Sequence, residues 1–221
     1  MKKLDNFKPL IKNTLYVGII TFIICILCYL YLDRLFILNI NNHINQVLVF
    51  TKLSKFISTL FAPNNWASLF FVLFLICIWQ YVRRKLNQRL MIWTLTLFIA
   101  IVTTLVVKIL VARYRPELFL QDGLYGFHGF SHKRLFNSFP SGHTSLAFAG
   151  FLGLSYFLQN KKLTFIFIIL AILISISRIV SGQHYLSDVI GAAYIGLFSF
   201  LWAKQIIFFA VGIHNYDGLV R

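Results

Sequence analysis

Apolar residues along this chain are grouped in six long runs, with the polar residues largely confined to the segments between them. The runs cover residues 14–32, 66–82, 90–110, 143–158, 163–180 and 186–207. About 20 apolar residues cross the hydrocarbon core of a bilayer as a helix, and only the fourth run is near the lower limit of that length. The pattern therefore predicts an all-α polytopic membrane protein with six transmembrane helices.

The first run follows four lysines and so shares a feature with secretory signal peptides. It is longer than the apolar region of a typical signal peptide, and no small-residue cleavage site follows it. We therefore predict that it is a retained first helix. The sequence contains no internal repeat, which favours one integral-membrane domain over residues 1–221.

Residues 33–65, between the first two runs, form a linker too long for a simple turn. Apolar residues recur at helical spacing between Ile44 and Phe61, with Lys52 and Lys55 among them. This spacing indicates an amphipathic helical segment on the outer face of the membrane. An irregular cap over the helix ends fits the same pattern equally well.

Composition sharpens this interpretation. Of the 221 residues, 59% are hydrophobic and only 12% are charged, and the mean hydropathy is +0.78. The net charge of +15 would suggest nucleic acid if taken alone, but a polar-surfaced nucleic-acid binder is not this apolar. Disorder and a coiled coil are excluded for the same reason. The three cysteines lie inside apolar runs, so we expect no disulfide and no metal site from them.

The distribution of Lys and Arg predicts the orientation in the membrane. If the N-terminus is inside, twelve of the 21 basic residues fall on the inner side. Three of the other nine have the functional explanation given next. We therefore expect both termini in the cytoplasm of a bacterial inner membrane.

Unusual polar residues concentrate at the predicted outer ends of four spans. Lys108 and Arg115 are seven residues apart, which on a helix would put both on one face before Pro116 ends it. Ser141 is predicted to be the N-cap of the fourth span, whose backbone N–H groups would then attract an anion such as phosphate. Arg178 adds a further positive charge at the end of the fifth span.

His184 and Asp188 open the sixth span with a spacing of four residues. This spacing lets the carboxylate accept the N–H of the imidazole and leaves the other ring nitrogen free as an acceptor or nucleophile. We therefore interpret Asp188 as the residue that orients His184.

Metal binding is the competing use of such residues. His128 and His132 have a helical spacing, but they lie in a glycine-rich loop with few carboxylates. A site with this much positive charge would repel a cation, so we expect phosphoryl chemistry with no metal and no other cofactor.

The three motifs together resemble the signature of the type 2 phosphatidic acid phosphatase family. They are Lys108-x6-Arg115-Pro116, Pro140-Ser141-Gly142-His143 and Ser177-Arg178-x5-His184-x3-Asp188. The resemblance implies a metal-independent phosphatase, and the six apolar runs point to its integral-membrane lipid phosphatase branch.

The resemblance also implies a role for each site residue. His184 would attack phosphorus and form a phosphohistidine, Asp188 would fix its tautomer, and His143 would protonate the leaving oxygen. The phosphate-binding residues would be Lys108, Arg115, Ser141, Gly142 and Arg178.

The expected partners are the bilayer and a lipid phosphate, with no nucleic acid. Phosphatidic acid, phosphatidylglycerophosphate, undecaprenyl diphosphate and a lipid A phosphate all fit the motifs, and we favour a bacterial envelope lipid. A lipid-to-lipid phosphotransferase using the same phosphohistidine is the alternative. A transporter is disfavoured because the centres of the spans are nearly free of charge.

Overall fold

The computed structural model describes residues 7–44 and 48–217, and the regular structure in these ranges is helical apart from one isolated bridge between Arg113 and Phe127. We number the α-helices in chain order as α1 Lys8–Leu27, α2 Asp33–Asn39, α3 Leu48–Leu60, α4 Pro63–Val82, α5 Gln88–Val111, α6 Pro116–Asp122, α7 Gly142–Leu158, α8 Lys161–Val180 and α9 Leu186–Asp217. Short π-helical stretches follow α1 at Cys28–Leu32 and α2 at Ile40–Ile44.

Five helical segments in this part of the chain are long and apolar enough to cross a membrane. They are Lys8–Asn42, Lys52–Val82, Gln88–Val111, Lys161–Val180 and Leu186–Val211. The fourth predicted span corresponds to α7, which has 17 residues and is largely buried among other helices. The membrane-protein character is therefore clear, and a sixth span at α7 remains a prediction.

The predicted end of the first span at residue 32 is wrong, because the helical backbone continues through α2 to Ile44. Asp33, where the linker was expected to begin, is fully buried, as is Ile37 in the next turn. Most of residues 33–65 are thus helical, and the segment includes α3. The amphipathic placement of α3 on an outer face remains a prediction, and residues 45–47 lie outside the described ranges.

Helices α5, α7 and α9 pack against one another at the centre of the bundle. Glycines allow this close approach: a Cβ on Gly196 of α9 would lie 2.5 Å from the carbonyl oxygen of Ser145 on α7. On the other side of α7, a Cβ on Gly153 would lie 2.2 Å from the Trp93 ring of α5. The remaining long helices surround this core, with α1 on α9, α4 on α5 and α8 on α7.

The outward faces of the peripheral helices are apolar. Large side chains such as Leu15 and Phe22 on α1, and Leu75 and Val82 on α4, are more than half exposed. Exposed apolar surface on this scale is what lipid-facing helices present.

Arg83, Arg84 and Lys85 lie in the α4–α5 connection, and Lys161 and Lys162 begin α8, at the bundle end opposite to the motif residues. Lys2, Lys3 and Arg221, which also entered the orientation argument, lie outside the described residues. The orientation itself remains a prediction.

Candidate active site

The motif residues come together at one end of the helix bundle. Lys108 is in the last turn of α5 and Arg178 in the last turn of α8, whereas His143 opens α7 and Asp188 opens α9. Because α5 and α8 end where α7 and α9 begin, four helix ends present polar side chains to one region.

The path between Lys108 and Arg115 differs from the expected one. Helix α5 ends at Val111, Ala112 has a left-handed backbone (φ 40°, ψ 65°), and Arg115 is extended. Pro116 begins α6 instead of ending a helix, in the first-turn position that proline favours. The prediction that Lys108 and Arg115 share one helical face is therefore wrong.

Hydrogen bonds to the following loop hold this extended segment in place. The Tyr114 N–H donates to the Gly126 carbonyl at 3.0 Å, and the Ser138 N–H donates to the Arg113 carbonyl at 2.9 Å. These partners lie 12 and 25 residues along the chain, so they could not be inferred from local periodicity.

Lys108 and Arg115 nevertheless converge on the carbonyl of Asn137. Lys108 Nζ donates to it at 2.9 Å and Arg115 Nη2 at 3.5 Å. Arg115 Nη1 also lies 3.4 Å from both side-chain and backbone oxygens of Gln183, which precedes His184. Burial, followed by the positive charge of Arg134, lowers the pKa of Arg115.

Arg178 completes what we call the cationic cluster, Lys108, Arg115 and Arg178. It is 5% exposed and donates from Nη1 to the hydroxyl of Ser58. Within residues 7–44 and 48–217 no carboxylate forms an ion pair with any of the three. Three cations with neutral hydrogen-bond partners make this region suited to an anionic ligand.

His184 faces Asp188 as the spacing predicts, although His184 itself precedes the helix. His184 Nδ1 lies 3.5 Å from Asp188 Oδ2, a long contact between two buried side chains. The same carboxylate oxygen accepts from Ser138 Oγ at 2.5 Å and from the Tyr185 N–H at 2.9 Å. The Tyr185 contact is half of a capping box, which explains why an acidic residue stands in the first turn of α9.

Burial is the largest influence on His184, and it lowers the pKa of the imidazole well below its usual value. The charges of Arg115 and Lys108 act in the same direction, whereas the nearby carboxylate of Asp188 opposes them. His184 is therefore neutral at neutral pH, and the neutral form is the nucleophilic one.

His143 is held by α3, a helix outside the three motifs. Its Nε2 lies 3.1 Å from the Ser58 carbonyl oxygen and 3.3 Å from the Ser58 hydroxyl. A carbonyl only accepts, so Nε2 carries the hydrogen in this arrangement. Since the Ser58 hydroxyl also accepts from Arg178, the last turn of α3 covers this side of the site.

Ser141 stands at the N-cap of α7 as predicted, but its side chain makes no capping hydrogen bond. Its N–H donates to the Asp188 carbonyl at 3.1 Å, so that N–H is occupied. A Cβ on Gly142 would lie 3.7 Å from Lys108 Cε, which places the Gly142 backbone next to the cationic cluster.

The two loop histidines contact aromatic rings. His128 stacks on Phe136 with centroids 4.4 Å apart, and His132 meets the edge of Phe130 at 5.2 Å. Across the described ranges, no three His, Cys, Asp or Glu side chains are grouped as they would be to hold a metal ion.

Several residues around the site were not anticipated from the sequence. Ser138, at the C-terminal side of the loop, gave no spacing signal. Asp33 could have been noticed from the sequence, because it is among only six acidic residues in the chain and directly follows an apolar run. The further residues of this kind are Ser58, Arg113 and Asn137.

The sequence profile of the PAP2 superfamily matches residues 89–211, which is more than half of the chain and includes all three motifs. The chain belongs to the PAP2 superfamily. Asp33, which accepts hydrogen bonds from Arg113 and from the Ser187 N–H, lies before the matched residues and so outside the region that defines the family.

Individual PAP2-related proteins match over shorter stretches. The lipid A 1-phosphatase of Rhizobium etli is 38% identical over 94 residues, covering 42% of this chain and 40% of that protein. The bacitracin transport permease protein BcrC of Bacillus licheniformis is 46% identical over 66 residues, covering 30% and 32%. The matches therefore span less than half of these relatives.

A solved structure is similar over most of the chain. The transmembrane PAP2-type phosphatidylglycerolphosphate phosphatase of Bacillus subtilis superposes with a TM-score of 0.57, covering 87% of this chain and 94% of that one. At 19% identity this likeness concerns the fold.

Proposed function

We propose that this protein is a membrane lipid phosphatase that hydrolyses a phosphomonoester or diphosphate headgroup through a phosphohistidine on His184. The observation that carries the proposal is the buried pair of His184 and Asp188 beside the cationic cluster. Membership of the PAP2 superfamily supports it independently.

In the first step, His184 Nε2 attacks phosphorus and the bond from phosphorus to the lipid oxygen breaks. His143, which must be in its imidazolium form beside the bound phosphate anion, gives a proton to the departing oxygen, and this oxygen leaves as an alcohol or as a lipid monophosphate. Asp188 accepts the hydrogen bond from Nδ1 and stabilises the positive charge that the imidazole acquires.

In the second step, water attacks the phosphohistidine and the nitrogen–phosphorus bond breaks. His143, now neutral, takes a proton from the water, and inorganic phosphate leaves. His184 and His143 are then both restored for the next turnover.

The cationic cluster would bind the phosphate oxygens throughout. The donor groups of Lys108, Arg115 and Arg178 are in place before substrate arrives, so they can stabilise the extra negative charge of each transition state with little rearrangement. Ser141 and the Gly142 backbone would add contacts at the positive end of α7. No step requires a metal ion or another cofactor.

We also propose six spans in a bacterial inner membrane, with both termini in the cytoplasm and the site facing the periplasm or exterior. The support is that the motif residues share one end of the bundle, while the other end carries Arg83 and Arg84 in the α4–α5 connection and Lys161 and Lys162 at the start of α8. Lipid phosphates lie at the membrane interface, where helix ends can reach them.

The substrate is proposed to be a bacterial envelope lipid. One sequence relative is a lipid A 1-phosphatase and the solved structure with a similar fold is a phosphatidylglycerolphosphate phosphatase, so a lipid A phosphate and phosphatidylglycerophosphate are the first to test. Undecaprenyl diphosphate and phosphatidic acid complete the panel.

The test is phosphate release by purified protein in mixed micelles from each of these lipids, in excess chelator. We expect release from at least one lipid, and a loss of at least about a thousandfold in His184→Ala. His132→Ala, which removes an exposed histidine from the loop between α6 and α7, is the matched control and should keep full activity.

His184→Ala protein with near-wild-type release would contradict the proposal. Phosphate found on a lipid acceptor instead of in solution would favour the alternative function, a lipid-to-lipid phosphotransferase. Activity that disappears in chelator and returns with zinc would contradict the metal-free mechanism.

A further inference from the structure

A second polar cluster lies directly behind His184. We call Asp33, Arg113, Ser187 and Asp188 the carboxylate cluster. Its exposed fractions are 0% for both carboxylates, 1% for Arg113 and 2% for Ser187. It joins α2, the extended segment after α5 and the first turn of α9, and three of its members, Asp33, Arg113 and Ser187, are not among the motif residues.

Arg113 bridges the two carboxylates. Its Nη1 donates to Asp188 Oδ1 at 2.6 Å and its Nη2 donates to Asp33 Oδ2 at 2.8 Å. The guanidinium also lies against the Tyr185 ring, with Cζ 4.2 Å from the centroid. A planar guanidinium with fixed donors can hold two acceptors in a defined geometry, which a lysine cannot do.

Asp33 fixes the other side of the same structure. Besides the Arg113 contact, it accepts from the Ser187 N–H at 3.1 Å and from the Ser187 hydroxyl. Ser187 is next to Asp188 in the first turn of α9. One carboxylate on α2 therefore holds both the guanidinium that binds Asp188 and the turn that carries Asp188.

The charges of the cluster also suit the reaction. Two carboxylates share one guanidinium, which leaves the cluster net negative. Formation of the phosphohistidine makes the imidazole of His184 positive, 3.5 Å from Asp188 Oδ2. A net negative charge behind the imidazole is stabilising at that stage and is enclosed where water does not screen it.

We propose that Asp33 is a positioning residue for the phosphatase, which acts through Arg113 and Asp188 to hold His184 in the orientation for attack. The inference rests on the function proposed above, because it assigns a role to that same site. Asp33 does not touch the substrate; its effect passes through two intermediate side chains.

The first test is Asp33→Asn, which keeps the size of the side chain and removes its charge. We expect kcat to fall about 10- to 100-fold with KM within about twofold, as for other residues that orient a reacting group from behind. Asp122→Asn removes an exposed carboxylate at the end of α6 and serves as the matched control with unchanged kcat.

A double substitution separates positioning from a purely structural role. If Asp33 acts through Asp188, then Asp33→Asn should cause little further loss in a protein that already carries Asp188→Asn. An equal fold loss in both backgrounds would overturn the proposal. So would a lowered Tm with unchanged kcat per folded molecule, because that is the result for a residue that only anchors α2.

Histidine-labelled NMR gives a readout that does not depend on turnover. In the wild type we expect a proton on His184 Nδ1 with a downfield resonance from its bond to Asp188, assigned by its loss in His184→Ala. Asp33→Asn should move that resonance upfield or increase its exchange with water. An unchanged resonance in Asp33→Asn would overturn the positioning role. This readout does not need a substrate, so it is separate from the proposed function, which would be rejected if no lipid in the panel were hydrolysed.

Discussion

Two charged clusters lie on either side of His184, and they differ in how their charges are compensated. In the carboxylate cluster, Arg113 pairs with Asp33 and Asp188 at 2.8 and 2.6 Å. In the cationic cluster, Lys108 and Arg115 point at a neutral carbonyl. The first cluster contains its own counter-charge, whereas the second gains most when an anion arrives. We therefore infer that the carboxylate cluster supports the site and that the cationic cluster would bind the substrate.

The largest effect on stability is expected from replacing Arg113, which bridges the two carboxylates of the carboxylate cluster. Arg113→Met leaves two buried carboxylates without their cation, which should lower the free energy of unfolding by about 3–5 kcal/mol. Thermal unfolding in detergent micelles measures it. Arg134→Met, which breaks the exposed Arg134–Glu117 pair, is the control and should change stability by less than about 1 kcal/mol. Equal stabilities of Arg113→Met and wild type would show that the cluster is not the support described here.

For the cationic cluster we expect a loss of activity without a loss of stability. Lys108→Met should lower kcat/KM about 100- to 1000-fold, because one donor to the growing phosphate charge is lost. Its stability without substrate should be unchanged or higher, since a cation close to Arg115 and Arg178 is removed. Steady-state kinetics and thermal unfolding of the same preparation test both halves. A large loss of stability in Lys108→Met would remove the distinction between the clusters.

A smaller effect concerns the pH dependence of stability. Burial holds the pKa of His184 below the value of about 6.5 that it has in the unfolded chain. The unfolded chain therefore binds a proton that the folded protein does not. This contribution is fully present above pH 6.5 and is lost as the pH falls below it, by up to about 1.4 kcal/mol per pH unit.

His184→Gln lacks that titration and tests the sign. Between pH 7 and pH 5, the wild type should lose about 1–2 kcal/mol more stability than the variant. The comparison cancels the titration of groups that the two proteins share. Equal losses in the two proteins would mean that His184 is not held neutral by burial.

The sequence predicts the helices well where their causes are local. The runs at 66–82, 90–110, 143–158 and 163–180 agree with α4, α5, α7 and α8 to within three residues at each end. The length of an apolar run depends only on the residues in that run, so the position of the helix can be predicted without knowing its neighbours in the fold. The spacing of His184 and Asp188 likewise predicts a contact that the first turn of α9 makes.

The features that the sequence does not predict depend on distant partners. Asp33 resembles a polar stop after the first run, yet it is buried because Arg113, 80 residues later, neutralises it. Ala112 turns the chain out of α5 without a glycine, since hydrogen bonds to the following loop hold the carbonyl of Arg113 and the N–H of Tyr114. Ser58 meets His143 only because α3 packs against α8.

The most direct test of the account is identification of the residue that carries phosphate during turnover. Protein mixed with excess lipid substrate is quenched in base after a fraction of a turnover, digested and examined by mass spectrometry. The account predicts a phosphoryl group on His184, in wild type and in His132→Ala, and none in His184→Ala. A phosphoryl group on another residue, or continuing turnover with His184 unmodified, would contradict it.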